Sequence, residues 1–155
     1  MRVDYRKVFP SALKAMYGLE AAVHESTLEP DLLELVKVRA SQLNGCGYCL
    51  DMHTKDAEAM GVEAQRLHVV LAWKEAPFYS ERERAALAWC EALTLLPESA
   101  APDDVFEEVE HNFSPEEVVA LTLAIVAING WNRLAVGLRS PVGSYVRPAA
   151  VQANT

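Results

Sequence analysis

The amino-acid sequence predicts an all-α fold, a single-domain helical bundle. Three observations carry that prediction. Apolar residues recur at three- and four-residue steps, the eight prolines fall at or between the ends of the periodic segments, and no stretch shows convincing strand-like alternation. The first helix runs from about Pro10 to Glu25, with Leu13, Met16, Tyr17 and Ala21 along one face. Pro30 suits the first turn of the second helix, where a missing N–H costs nothing, and Leu32, Leu33, Leu35, Val36, Val38 and Leu43 follow. Asn44-Gly45 closes that helix, since both residues tolerate the left-handed conformation of a C-cap. A third helix starts at or near Cys46 and ends at Gly61, and a fourth carries Leu67, Val70, Leu71 and Trp73 up to Pro77. Ser80-Glu81-Arg82-Glu83 is a capping box that opens a fifth, through Leu87, Trp89 and Leu93 to about Leu96. Asp103 to His111 is a short sixth. Ser114-Pro115-Glu116-Glu117 combines a capping serine, a proline at the first helical position and a glutamate three residues on, and the last helix runs from there to about Arg139. Residues 1–147 are expected to form the one domain, and residues 148–155 a loose tail.

Composition narrows the function classes. A chain of 155 residues with 51% hydrophobic content can bury a core and is too apolar to be disordered. Its net charge of -8 at pH 7, without a basic cluster, repels phosphate backbones and anionic lipid surfaces, so no nucleic-acid or membrane partner is expected. Met1-Arg2-Val3-Asp4-Tyr5-Arg6-Lys7 is not followed by an apolar run of the kind a secretory signal needs, which points to the cytoplasm. The greasiest stretch, Val118 to Ile128, falls short of the roughly 20 residues that cross a bilayer and is expected to be a buried core helix. Three cysteines in a reducing compartment do not suggest a structural disulfide framework.

Cys46-Gly47-Tyr48-Cys49-Leu50-Asp51-Met52-His53 carries the chemistry. Residues three and seven apart on a helix are separated by roughly 300° and 700°, so Cys46, Cys49 and His53 share one face. The cysteines fall at the start of a helix, where unpaired N–H groups and the positive dipole end favour a thiolate. His53, four residues beyond Cys49, is placed to take or return a proton, and the second cysteine can trap an oxidised sulfur as a disulfide. The same spacing also suits half of a zinc site with His53 as third ligand, although no fourth ligand is obvious. Cys90, between Trp89 and Leu93, fits a buried thiol packing as a small hydrophobe. His24, His68 and His111 lack cysteine or histidine neighbours and fit surface positions or ordinary packing.

The run from Glu34 through Cys46, Cys49 and His53 resembles the core motif of the AhpD-like branch of the carboxymuconolactone decarboxylase family. Ile128-Asn129-Gly130-Trp131-Asn132-Arg133-Leu134 is similar to the closing helix of peroxidase-related members, so the likeness spans about residues 30–140. The resemblance implies an all-helical homo-oligomer, commonly a trimer or hexamer, with thiol-dependent peroxidase activity and a Cys-x-x-Cys centre. It implies a peroxide substrate and an external dithiol donor of lipoyl or thioredoxin-like type; no cofactor and no metal is expected. It also gives Glu34 a role that spacing does not: the matching glutamate joins the histidine and cysteines in a proton relay. One departure is Tyr48, where some members place a second histidine; tyrosine donates a hydrogen bond but is a poor proton shuttle at neutral pH. Tyr48, Asn129, Trp131 and Asn132 are candidates for the pocket, with a structural or interface role preferred for the last three. Alternatives are a true carboxymuconolactone decarboxylase, whose branch does not need the dithiol, a zinc-binding module, and a thiol sensor or disulfide relay without efficient turnover.

Overall fold

The computed structural model describes residues 1–147, so the expected tail at 148–155 lies outside the described residues. The fold is all-α. Its elements are α1 (Tyr5–Val8), α2 (Pro10–His24), α3 (Pro30–Leu43), α4 (Gly47–Ala59), α5 (Ala64–Val69), α6 (Glu81–Thr94), α7 (Leu96–Ser99), α8 (Asp103–Asn112) and α9 (Pro115–Gly137).

α3 is the central element, packed against α4, α6 and α9. Every residue from Leu32 to Val38 is buried, and a helix apolar around most of its circumference has to lie inside. α9 closes the bundle against α2, α3, α4, α6 and α8. At 23 residues it is longer than its apolar run suggests, and by length and composition alone it matches a membrane-crossing helix. Its Ala120, Leu121, Ala124, Ile125 and Ile128 instead form the core with Val36, Ala40 and Cys90, as expected of a core helix. Gly130 lets α2 approach: a Cβ there would meet Met16 Cε at 3.0 Å.

Both sequence capping boxes form, Ser80 with Glu83 and Ser114 with Glu117, each closed in both directions. Arg82 links these two helix starts to α3, pairing with Glu29 at 3.0 Å and Glu117 at 2.6 Å while its guanidinium lies 4.0 Å from the Phe113 ring centroid.

Several sequence expectations shift. In α2 only Leu13 of the proposed stripe is buried; Tyr17 is exposed, because α2 covers the bundle at its edge and leaves a cavity beneath it. The fourth helix breaks into α5 and a 3₁₀ turn at Val70–Ala72, which exposes Leu71 while keeping Leu67, Val70 and Trp73 buried. The one-turn helices α1 and α7 carry too little periodicity to be read in advance. Gly45 adopts the left-handed conformation at φ 63°, whereas Asn44 stays helical, its side-chain amide donating back to the Ala40 carbonyl at 2.9 Å. α9 ends two residues before the expected Arg139, which itself lies at φ 56°.

Candidate active site

The site forms where the start of α4 meets the middle of α3. Gly45 turns the chain through its left-handed conformation, and Cys46 becomes the N-cap of α4, its sulfur accepting from the Cys49 N–H at 3.4 Å. Cys46 and Cys49 are joined as a disulfide, with Cα atoms 5.4 Å apart, and both residues are buried. A Cβ on the intervening Gly47 would meet Val142 at 3.1 Å, so the segment after α9 packs directly over the Cys-x-x-Cys turn.

One turn further along α4, His53 Nδ1 lies 2.8 Å from Glu34 Oε2. The other Glu34 oxygen accepts from Lys37 Nζ at 3.2 Å, and Lys37 Nζ also lies 3.5 Å from Glu20 on α2. Glu20 in turn accepts from the Trp131 indole N–H at 3.0 Å. Glu34 and Lys37 are each 3% exposed, a depth at which charges persist only when paired. Burial pushes the Glu34 carboxyl up, but the His53 hydrogen bond and the charges of His53 and Lys37 more than reverse this and hold it below the ordinary carboxylate range. A carboxylate accepting at Nδ1 fixes that nitrogen as the N–H and leaves Nε2 free to take a proton.

These groups open onto a cavity of about 320 Å³ beneath α2. Cys49, His53, Glu34 and Lys37 are part of its polar lining, with Glu20, Asp56 and Arg6, and Tyr17, Tyr48, Met52 and Trp131 form much of its apolar wall. Cys46 does not line it. The Tyr48 hydroxyl accepts from Arg6 at 2.8 Å, and the Arg6 guanidinium stacks over both Tyr5 and Tyr48. The structure thus brings Glu34, Cys49, His53, Tyr48 and Trp131 to one cavity. His24, expected at the surface, is exposed but also reaches the cavity wall.

Asn129 and Asn132 do not line the cavity. Asn44 Nδ2 donates to Asn129 Oδ1 at 3.0 Å and to Asn132 Oδ1 at 2.9 Å, Asn132 donates to Ser41, and Asn129 donates to Thr94. This amide network ties the end of α3 to α9, whereas Trp131, for which the sequence also suggested a structural or interface role, lies in the cavity wall. Sequence reasoning missed Glu20 and Lys37. The three-residue spacing of Glu34 and Lys37 inside an otherwise apolar helix was the available signal.

Among the described residues, Glu34, His53 and Asp56 present donor atoms within 4.8 Å of one another. Glu34 is already held by His53 and Lys37, and Asp56 accepts from the Tyr145 hydroxyl at 2.8 Å, so this cluster is a satisfied hydrogen-bond network, and it includes neither cysteine of the proposed zinc site. Burial, together with the hydrogen bond and charge of Asp56, pushes the Tyr145 phenol up to about 12. Cys90 is fully buried, its thiol pushed up to about 12 by burial.

The chain is 39% identical over 143 residues to the uncharacterized protein YdfG of Bacillus subtilis, which spans 92% of this chain and 97% of that one. The solved structure of an Agrobacterium tumefaciens protein of unknown function, suggested to be the antioxidant defence protein AhpD, superposes with a TM-score of 0.88 at 47% identity, over 91% of this chain and 97% of that one. The debrominase Bmp8 shares the fold at a TM-score of 0.79 and 23% identity, over 87% of this chain and 73% of that one. The model of the carboxymuconolactone decarboxylase family matches residues 9–92, the stretch that holds Glu34, both site cysteines and His53. With that match and these relatives, the chain belongs to the carboxymuconolactone decarboxylase family, in its AhpD-like branch.

Proposed function

We propose that the protein is a thiol-dependent peroxidase acting on organic hydroperoxides in a reducing compartment such as the cytoplasm. The observation that carries this is the shared cavity: Cys49, disulfide-bonded to Cys46, lines the same pocket as a histidine held by a buried carboxylate. The fold alone does not choose the reaction, since one fold hosts many chemistries.

In the reduced protein, His53 Nε2 takes the Cys49 thiol proton, with Glu34 orienting the ring and balancing the imidazolium. The thiolate attacks the terminal peroxide oxygen; the O–O bond breaks, Cys49 is oxidised to a sulfenic acid, and the alkoxide takes the proton from His53 and leaves as the alcohol. The Cys46 thiol then displaces hydroxide, which leaves with the thiol proton as water, and the 46–49 disulfide closes. An external dithiol of lipoyl or thioredoxin-like type reduces this bond and becomes oxidised itself. The N–H of Cys49 aimed at the Cys46 sulfur stabilises negative charge there and makes Cys46 the better leaving group in that step. Exposure to the cavity therefore favours Cys49 as the attacking residue and Cys46 as the resolving one.

The aromatic and methionine wall favours an apolar peroxide substituent over hydrogen peroxide itself. The exposed Val119, Leu123 and Val126, which follow one another along α9, support assembly into a homo-oligomer such as a trimer or hexamer.

The test is mass spectrometry of the reduced protein after one equivalent of an organic hydroperoxide, with free thiols alkylated. A 46–49 bridge is expected in the parent, a trappable sulfenic acid in Cys46→Ser, and no peroxide consumption in Cys49→Ser. Unmodified thiols in the parent, or parental turnover in Cys49→Ser, refute the proposal.

A further inference from the structure

Lys37 is a buried ammonium that the proposed chemistry does not use. It lies between two carboxylates, 3.2 Å from Glu34 and 3.5 Å from Glu20, in the wall of the reactive cavity. The alternation runs from His53 to Glu34, Lys37 and Glu20, with Trp131 donating to the last member. We infer that Lys37 is a positioning residue that sets how tightly the Glu34–His53 pair holds its proton, with Glu20 as its counterweight.

The argument is electrostatic. The two oxygens of Glu34 face different cations, so the proton on the His53 side competes with the fixed charge of Lys37 for one carboxylate. With Lys37 in place the pair releases its proton more readily, which keeps Nε2 available to accept one from Cys49. Glu20 limits the effect by drawing field from Lys37. The other titratable or charged groups around this chain are His24 on α2, 4.0 Å from Glu20, Asp56 on α4 with its partners Tyr145 and Arg147, and Arg6 with Tyr5, Tyr17 and Tyr48 across the cavity. None of these is within ion-pair distance of Lys37, whose carboxylate partners among the described residues are Glu34 and Glu20.

The two acidic and basic members therefore have opposite effects when neutralised. Removing the positive charge in Lys37→Met makes the pair hold its proton more tightly, and removing the negative charge in Glu20→Gln makes it hold the proton less tightly. Loss of packing moves neither in a signed way. The functional meaning rests on the peroxidase proposal, but the measurement does not: it is the imidazole NMR titration of the oxidised protein, in which Cys46 and Cys49 are disulfide-bonded and do not titrate, with the His53 resonance assigned by its loss in His53→Gln.

In Lys37→Met the His53 midpoint is expected to rise by on the order of one pH unit, and in Glu20→Gln to fall by about half a unit. Midpoints that move the same way in both variants, or stay within about 0.2 units of the parent in Glu20→Gln, overturn the inference. Glu20→Gln removes a half-buried group and decides the matter alone if Lys37→Met does not fold. If the variants show these shifts while the parent consumes no hydroperoxide, only the peroxidase proposal fails.

Discussion

Glu34→Gln isolates the charge of the buried carboxylate while keeping its shape. Glu34 uses one oxygen for His53 Nδ1 at 2.8 Å and the other for Lys37 Nζ at 3.2 Å, and both partners are donors. Glutamine has one acceptor oxygen and one donor nitrogen. If the amide nitrogen faces Lys37, two donors oppose each other; if it faces His53, the ring must present Nδ1 as the acceptor and carry its proton on Nε2, where it cannot act as a base. A hydrogen bond to a charged group contributes about 1.5–3 kcal/mol, which corresponds to about 10- to 150-fold in rate if it is realised in the transition state. The expected loss in kcat/KM lies in the upper half of that range, because one outcome imposes the wrong tautomer and the other leaves two donors opposed beside the ring. Stability falls by about 3 kcal/mol, at the lower end for breaking a buried pair because Glu20 still faces Lys37. For a chain of this length that lowers Tm by about 6–12 °C. The assay is hydroperoxide consumption with excess dithiol at 25 °C, beside a melting curve for each protein. A folded Glu34→Gln protein within twofold of the parental kcat/KM refutes the relay.

Cys90 is expected to resist reagents that reach the site cysteines. With its thiol pushed up to about 12 by burial, the thiolate fraction at pH 8 is about 10⁻⁴. Reduced native protein should therefore gain no more than two carbamidomethyl groups from iodoacetamide, the third appearing only in denaturant; a third addition under native conditions contradicts the burial argument. Glu117 provides a pH test. Its carboxyl is held at about 2 rather than 4.5, first by the Arg82 hydrogen bond and then by the Ser114 backbone. A depressed carboxyl contributes stability that is complete above the unfolded value and is lost as pH falls from about 4.5 towards 2. Glu117→Gln should lower stability at pH 7 by about 1 kcal/mol, after solvent screening, and flatten urea-monitored stability across that acid window. An unchanged acid slope would show that Glu117 is not a source of it.

The parts of this molecule legible in its sequence are those set by local rules. Ser80 and Ser114 start helices because each brings its own glutamate three residues on, and Cys49 and His53 reach one cavity because a four-residue step puts them on one side of α4. The cavity is different. Tyr17 and Trp131 meet at 5.2 Å between ring centroids across more than a hundred residues of chain, and no spacing rule connects them. Their helix faces look like ordinary apolar stripes until α2 is seen to sit at the edge of the bundle. Leu71 fails for a related reason: its four-residue step from Leu67 suggests a continuing helix, but the chain tightens into a 3₁₀ turn that buries Val70 and Trp73 and turns Leu71 out.

Lys37 lies between those extremes. Its spacing from Glu34 was visible, yet a charged pair three residues apart usually marks a solvated helix face. What distinguishes this pair is the company it keeps: Leu32, Leu33, Leu35, Val36 and Val38 leave α3 no side to turn towards water, so both charges must be buried, and both must then find partners. Asn44 extends the same logic. Placed at a helix end, its amide donates to the local Ala40 carbonyl but also reaches α9, where Asn129 and Asn132 accept from it. Gly45 and Cys46 follow immediately, so the contact that anchors the end of α3 to α9 also fixes where the Cys-x-x-Cys turn begins. The two sequence stretches that carry the family resemblance, one around Cys46 and one around Trp131, are therefore two sides of a single contact. A substitution at Asn129 or Asn132, neither of which lines the cavity, is therefore expected to displace the cysteines all the same.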